Sequence, residues 1–399
     1  MTGLVGAPPE DFAGLLSPFP AEKFMAEHWE HRPLTVRHDD PGRFRELLSL
    51  ADTDYVLSNA SLRSGELRVV NDGCETTPSD LEGLYSAYRE GSTVVLVGLH
   101  RRWPPLRRLS RALSEDLSAD IQVNAYLTPP GSRGFSLHYD THDVFVLQVC
   151  GRKHWRLFHD PIRLPLARQP FSAKPSTVTG DPIEEPILAA GDLIYIPRGF
   201  LHEARSLDTT SLHLTVGIHP VTWGEVIAAA IDAATDDDPE LRAGLPPGFT
   251  NDAELERRSV ARMHELLSGL WRRISAETLV TQARADALLR RPPSLDGHLL
   301  DLEAERTLRL DTRLRWRGDL ASSLTTDATH VTLRSAAKSV RMPGFVESDV
   351  RFMQQAPDFA ADELPGELDA DGRLVLVRRL LFEGFLTVCS LDGDGVARG

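Results

Sequence analysis

Residues 135–158 read FSLHYDTHDVFVLQVCGRKHWRLF, and a later stretch, GDLIYIPRGFLHEARS at 191–206, completes the pattern. In the first stretch His138 and Asp140 stand two residues apart, and an extended strand repeats its side-chain direction every two residues, so both can point at one spot. His202 can supply a third ligand. Two imidazoles and one carboxylate on one face leave open positions on an octahedral ion, the arrangement that lets non-haem Fe(II) hold a cosubstrate and O2. An H-x-D triplet alone arises readily by chance. The second stretch supplies the context: a short apolar strand at 193–196, a turn signal at Pro197 and Gly199, then the histidine.

Alternation over 153–158 puts Lys153, Trp155 and Leu157 on one face and His154, Arg156 and Phe158 on the other. With the Trp and Leu turned inward the lysine follows, and a buried ammonium requires a partner anion. A dicarboxylate cosubstrate is such an anion. Upstream, QVNAYLT at 122–128 carries Asn124, Tyr126 and Thr128 on one face, with Val123, Ala125 and Leu127 opposite. That polar face is either a set of hydrogen-bonding groups for a ligand carboxylate or the wet mouth of a barrel. His213, in the alternating strand LHLTVGI, looks into the barrel as a supporting group, since a fourth ligand would close an open position. His142 lies four residues beyond His138, a ligand spacing for a helix and not for a strand leaving the site. His154 faces away from Lys153, and His28 and His31 read as helix-end or surface residues.

The combined pattern, H-Y-D-x-x-D-x-F-x-x-Q-x-x-G-x-K-x-W preceded by N-x-Y-x-T-P and followed by G-D-x-x-Y-x-P-R-G-x-x-H, resembles the Jumonji-C ribosomal oxygenases, which are cupin-fold protein hydroxylases. The resemblance spans several strands. It implies Fe(II) on His138, Asp140 and His202, and 2-oxoglutarate with its distal carboxylate on Lys153 and Tyr126 and with Asn124 beside it. O2 would be the oxidant, the products succinate and CO2, and the target a histidyl or arginyl side chain of a basic ribosomal protein. Lysine at 153 is the habit of the animal members, where bacterial members carry arginine, so the bacterial target does not carry over. Two other readings stay open: tailoring of a small peptide or metabolite, and a cupin binding or regulatory protein without turnover.

At 399 residues the chain exceeds one ordinary core and calls for two to three domains. Its 41% hydrophobic and 26% charged residues suit a folded, soluble protein. No apolar run approaches the ~20 residues that span a bilayer. The opening MTGLVGAPPEDF lacks a basic region followed by an apolar one, so a cytoplasmic protein without membrane contact is expected. Cys74, Cys150 and Cys389 fit neither a C-x-x-C metal site nor a disulfide framework. The net charge of −14 argues against direct nucleic-acid binding and for attraction to a basic protein. Arg101, Arg102, Arg107, Arg108 and Arg111 accordingly read as a solvated helix face.

The expected class is α+β, with a double-stranded β-helix (jelly-roll or cupin) catalytic domain at 1–220 that opens on an N-terminal helical module. Helical spacing of Phe24, His28 and Trp29 is followed by Pro33, a helix over 42–50, mixed short segments to Asp72, a helix from Ser79 and Asp80 to Gly91, the apolar strand STVVLVGL and a helix over 103–117. Short strands divided by Pro and Gly turns fill 121–218, interrupted at 163–186 by an irregular insertion of the kind that borders an active-site mouth. Next comes a helical domain at 221–290, where Thr222 caps WGEVIAAAIDAAT and Val260, Met263, Leu266, Leu267, Leu270 and Trp271 recur at three and four. The stripe suggests association, and the resemblance implies a homodimer; packing within one subunit is the other reading. Arg291-Pro292-Pro293 opens the last domain, 291–399, with strand-like pieces at 307–316, 329–333 and 339–342, helices at 348–354 and 371–383 and a closing FLTVCSL. That order resembles the family's winged-helix C-terminal domain, and its acidic residues suggest protein contacts in place of DNA.

Overall fold

Two antiparallel sheets form the heart of the first part of the chain in the computed structural model, which describes residues 8–59, 65–78, 80–172, 180–291, 295–318, 320–336 and 338–389. The chain divides into two compact units, Met1–Val221 and Thr222–Gly399. In the first, the described strands are β1 (Leu34–Val36), β2 (Leu67–Asn71), β3 (Cys74–Thr76), β4 (Thr93–Leu96), β5 (Ala119–Thr128), β6 (Asp143–Cys150), β7 (Arg152–Phe158), β8 (Ile187–Ala189), β9 (Leu193–Ile196), β10 (Leu201–Ser206) and β11 (Ser211–Pro220). The larger sheet runs β1-β9-β6-β11-β5-β4-β2-β3 and the smaller β10-β7-β8. All pairings are antiparallel, giving the mixed α/β content and large antiparallel sheet of a cupin.

The sequence of β6, DVFVLQVC, shows why two sheets form. It is buried from Asp143 to Val149, so it alternates between two apolar environments and not between core and water. Phe145, Leu147 and Val149 join a core with helix residues Phe24, Leu106, Leu109 and Leu113. Val144 and Val146 turn the other way, onto Trp155, Leu157, Ile194 and Ile196 between the sheets. The chain crosses from β6 to β7 at Gly151, whose φ of 71° is left-handed and where a Cβ would lie 2.0 Å from the carbonyl oxygen of Thr210.

Several expectations shift. The helix placed over 42–50 is a run of turns, favoured by Pro41-Gly42, and the helix is Leu50–Asn59 instead. Ser49 sets its start: its N–H donates to Asp52 at 2.8 Å and the Asp52 N–H donates to Ser49 Oγ at 3.1 Å. Helix Ala21–Glu27 stops at His28, before Pro33, with the buried His28 ring bonded to the Pro33 carbonyl at 2.9 Å. Helix Leu81–Arg89 is capped by Asp80; Ser79 lies outside the described residues, as do 173–179 of the insertion, Pro292-Pro293, 1–7 and 390–399.

The second unit opens with helices Trp223–Asp237, Ala253–Arg273 and Ala276–Arg290, the first held by a capping box between Thr222 and Glu225. Leu270 is buried, whereas Val260, Met263, Leu267 and Trp271 are exposed. Further on, helices His298–Glu305, Glu347–Gln355 and Ala370–Phe382 surround a separate core that includes Leu333, Val350, Phe359, Leu380 and Phe385. The strand expected over 307–316 is only Leu314–Trp316, paired with Leu386–Val388. Ser322–Thr326 is an additional strand; its sequence, SSLTT, offers no apolar alternation to read. Among the described residues no helix is long and apolar enough to cross a membrane.

Gly151→Ala tests the sheet crossing. Forcing a side chain into a left-handed position against a backbone oxygen is expected to cost roughly 2–3 kcal/mol, read as a lowered midpoint in thermal or urea unfolding.

Candidate active site

His138 and His202 face each other across a single antiparallel bridge outside the regular ladders. The His138 N–H donates to the His202 carbonyl at 3.2 Å, and the His202 N–H to the His138 carbonyl at 2.7 Å. Residues 138–140 are extended loop and not the strand expected, yet alternation survives. Tyr139 turns away into a small core with Phe158 and Leu201, its hydroxyl donating to the Gln169 carbonyl at 3.0 Å. His138 and Asp140 are left on the other side.

The three ligand atoms lie within 4.8 Å of one another. Nε2 of His138 is 3.9 Å from Asp140 Oδ1, and Nε2 of His202 is 3.5 Å from Asp140 Oδ2. Each ring is oriented through its other nitrogen, Nδ1 of His138 against the Ser136 carbonyl at 2.8 Å and Nδ1 of His202 against the Phe200 carbonyl at 3.0 Å. A carbonyl accepts only from N–H, so both rings are fixed as the tautomer whose Nε2 lone pair faces the shared point. Burial, with His138 next to it, holds the His202 imidazole down at about 4, so it is neutral and able to ligate at neutral pH. At Asp140 burial works to raise the carboxyl, but His138, His142, His202 and His219 together leave it below its ordinary value. A carboxylate and two neutral imidazoles are a donor set for a divalent cation.

The triad opens into a cavity of about 270 Å³ between the sheets. Tyr126, His213 and Thr215 line it from the large sheet, Lys153, Trp155 and Ala204 from the small one. Lys153 is buried, and its Nζ donates to the Thr128 hydroxyl at 3.1 Å. Burial alone lowers this ammonium to about 7. Close by, Trp155 Nε1 and His213 Nδ1 are buried with no hydrogen-bond partner among the described residues. The His213 ring stacks on Tyr126 with centroids 4.8 Å apart and is held well below its ordinary pKa by burial and then by Lys153. An ammonium with one neutral partner, an unpaired indole N–H and an unpaired imidazole nitrogen together form the floor of an anion site. A larger cleft of about 880 Å³, lined by Leu50, Leu57, Leu84, Tyr85 and Leu127, lies apart from these groups and lacks such convergence.

Asp143 and Arg198, motif residues without a role in the sequence reading, tie the two ligand-bearing segments together. Arg198 Nη1 lies 2.9 Å from Asp143 Oδ2 and its Nη2 is 2.7 Å from Glu30, all but the last well buried. The Tyr195 hydroxyl also donates to Asp143, at 2.8 Å, and the Gly199 N–H donates to the Asp140 carbonyl at 3.0 Å. Burial pushes the Asp143 carboxyl up, against the opposing charge of Arg198.

Of the residues singled out in the sequence, His138, Asp140, His202, Lys153 and Tyr126 line this one cavity. Asn124 does not. It lies two residues before Tyr126 on β5, its Oδ1 accepting from the Gly98 N–H at 2.8 Å and from Gln122 Nε2 at 3.2 Å. His142 stacks on His219 at 4.6 Å, and both rings act on the Asp140 carboxylate without joining the three residues whose ligand atoms converge. Sequence reasoning missed Arg68 and Phe135, which also line the cavity. The alternation of LRVVN at 67–71 would have flagged Arg68 as facing the same side as Val70, had this stretch been read as a strand.

Residues 100–226 match the JmjC domain family. Among curated proteins, Ribosomal oxygenase 1 of Gallus gallus is 35% identical over 253 residues, 59% of this chain and 42% of that protein. Ribosomal oxygenase 1 of Homo sapiens is 33% identical over 255 residues, 60% of this chain and 40% of that protein. The bifunctional lysine-specific demethylase and histidyl-hydroxylase NO66 of Aedes aegypti is 33% identical, over 59% of this chain and 40% of that protein. The chain thus spans about two fifths of the length of these relatives. Among solved structures, the Escherichia coli ribosomal oxygenase YcfD aligns with a TM-score of 0.51 at 18% identity, over 93% of this chain and 98% of that one. YcfD in complex with cobalt and 2-oxoglutarate gives 0.51 at 16% identity, over 92% and 97%. These likenesses place the fold.

Removing one partner of the buried pair leaves an uncompensated charge. Arg198→Ala is therefore expected to destabilise the protein by about 3–5 kcal/mol. Asp143→Asn, of equal size, should lose less stability yet still weaken Fe(II) binding, measured by anaerobic equilibrium dialysis; unchanged metal affinity would separate this pair from the ligand geometry.

Proposed function

Residues 100–226 carry a JmjC domain, and from that premise we propose that this protein is an Fe(II)- and 2-oxoglutarate-dependent oxygenase that hydroxylates a His or Arg side chain of a basic ribosomal protein. The observation that carries the reading is the convergence, in one cavity, of a His-Asp-His donor set with a buried ammonium and unpaired nitrogen groups. The donor chemistry fits a hard-to-borderline divalent cation, and the floor fits a carboxylate. His138, Asp140 and His202 would hold the metal and Lys153 and Tyr126 the far carboxylate of 2-oxoglutarate. When bound, these groups and O2 supply the oxidising chemistry, in which 2-oxoglutarate becomes succinate and CO2 and one oxygen atom enters a substrate C–H bond.

The chain's own residues do the rest. The Ser136 and Phe200 carbonyls hold the two imidazoles in the ligating tautomer. Thr128 aims the Lys153 ammonium, and Asn124, held by the Gly98 N–H and Gln122, stands two residues before Tyr126 on the same face of β5. Val144, Val146 and Ile196 give the cavity an apolar wall that limits water and strengthens the ammonium's attraction for an anion. The negative net charge favours a basic protein as partner. We further read the exposed stripe on Ala253–Arg273 as a homodimer contact and the last hundred residues as a winged-helix domain serving protein contacts, in a cytoplasmic enzyme.

Anaerobic protein mixed with Fe(II) and 2-oxoglutarate is expected to carry both in native mass spectrometry and to release succinate on exposure to air. The His138→Ala, Asp140→Ala double variant should do neither; equal succinate from both proteins would point to a binding protein without turnover. Intact masses of ribosomal proteins from source cells with and without the gene should differ by one oxygen atom on at least one protein, and fragmentation then decides between His and Arg.

Lys153→Met should raise the Kd for 2-oxoglutarate by at least about tenfold, the loss of one charge-assisted contact. A pH dependence follows from the same group. Lys153 is held at about 7 by burial, and an adjacent carboxylate raises it. Binding therefore takes up a proton above about pH 7, so affinity is greatest below that value and declines as the pH rises above it. Calorimetry in buffers of different ionisation enthalpy measures that uptake, and Lys153→Met should abolish it.

A further inference from the structure

Among the described residues the large sheet ends at β3, next to the strand whose Arg68 lines the cavity. β2 and β3 form a hairpin closed by Asp72 (φ 49°) and Gly73 (φ 83°), the left-handed pair of a two-residue turn. In such a hairpin the residues flanking the turn, Asn71 and Cys74, exchange hydrogen bonds, and the next pair, Val70 and Glu75, does not. Glu75 therefore turns its backbone N–H and C=O outward. Among the described residues no strand lies beyond β3, and all of Cys74–Thr76 is exposed. The edge strand is short and carries the charge of Glu75, which discourages pairing with arbitrary chains, but neither Pro nor a bulge removes its outward N–H and C=O.

The hairpin is fixed to the ligand segment. The Asp72 and Gly73 N–H groups donate to the carbonyls of Arg133 at 3.1 Å and Gly134 at 2.7 Å, just before Phe135 and His138. On the cavity side the Glu75 carboxylate accepts from Arg68 Nε at 2.6 Å. The Arg68 guanidinium lies 5.3 Å from the Phe135 ring centre, which is 5.7 Å from that of His138. Three contacts thus join the free edge to a metal ligand.

We propose that an extended segment of the protein substrate adds to β3 as a further strand, bonding to the outward N–H and C=O of Glu75 while one of its side chains enters the cavity. This rests on the oxygenase reading above. The reaction requires a side chain inside a space of about 270 Å³ with its backbone left outside, which an extended segment along the mouth satisfies. Asp72 and Glu75 are already paired with Arg133 and Arg68, so it is the net charge of −14 that favours a basic segment over a second copy of this acidic chain.

The test uses full-length protein and the ribosomal proteins extracted from source cells lacking the gene. Glu75→Pro removes the outward N–H without touching a hairpin hydrogen bond, and Glu75→Gln keeps it while removing the same charge. The ratio of oxygen incorporated into protein to succinate released is expected to fall by about tenfold in Glu75→Pro relative to Glu75→Gln. Equal ratios overturn the edge as docking site. A second measurement does not depend on the folding of the proline variant: benzophenone maleimide placed on exposed Cys74, with Cys74→Ser as control, should photo-crosslink the same protein that gains oxygen. Crosslinking only to another copy of this chain overturns the proposal. Succinate release by the wild type with no ribosomal protein oxidised would overturn the ribosomal target, and this inference with it.

Discussion

Two main-chain hydrogen bonds between His138 and His202 set the rest of the site. The residues that pair are themselves two of the three candidate ligands, so the distance between their imidazoles follows from backbone geometry and not from the chance meeting of two flexible side chains. The rings have little freedom left once Ser136 and Phe200 take their Nδ1 protons. What a single bridge cannot resist is twist. Arg198 and Asp143 supply that resistance, one sited four residues before His202 and the other three after Asp140, with Tyr195 and Glu30 completing the polar contacts that make so buried a pair tolerable.

The sheets divide the remaining work. The large sheet contributes Tyr126, Thr128 and His213 from neighbouring strands β5 and β11, which pair in register with His213 opposite Tyr126. The small sheet contributes Lys153 and Trp155 from β7 and His202 from β10, with His202 opposite Leu157. Neither sheet carries a complete site. The crossings that bring the chain from one to the other, at Gly151 and at 197–200, are therefore conditions for the chemistry as much as for the fold.

How legible this was depends on whether the signal was periodic. The inward faces of β5, β7 and β11 were readable because a period of two, applied to a few residues, assigns every side chain in the strand. The register between strands was not, which is why Asn124 looked equivalent to Tyr126: both share a face, but only the cavity's position along β5 separates them, and that is fixed by tertiary packing. Asp143 and Arg198 stood in the quoted motif without a role, since nothing local reveals that residues far apart in sequence will meet as an ion pair. Helix Leu50–Asn59 was displaced because its start depends on the reciprocal bonds of Ser49 and Asp52, a capping signal weaker in sequence than the Pro-Gly punctuation ahead of it. Arg68 was lost with the short strand that carries it.

The choice of lysine at 153 has a physical consequence of its own. An arginine at the base of this cavity would stay charged at any pH the protein meets, and with no anion beside it would bear the full desolvation cost of an uncompensated cation. Lysine can release its proton, and burial has already brought it to about 7, so the anion-free cavity holds a substantial share of neutral amine. The neutral form asks little more than a hydrogen bond, which Thr128 satisfies. On the oxygenase reading proposed above, a carboxylate arriving from solution would restore the charge it binds to, so that stability without the anion and the grip on it need not be traded against each other at one fixed charge. His213 reinforces this, because an imidazole kept neutral by its burial and by the lysine adds no second positive charge that would oppose protonation of the lysine.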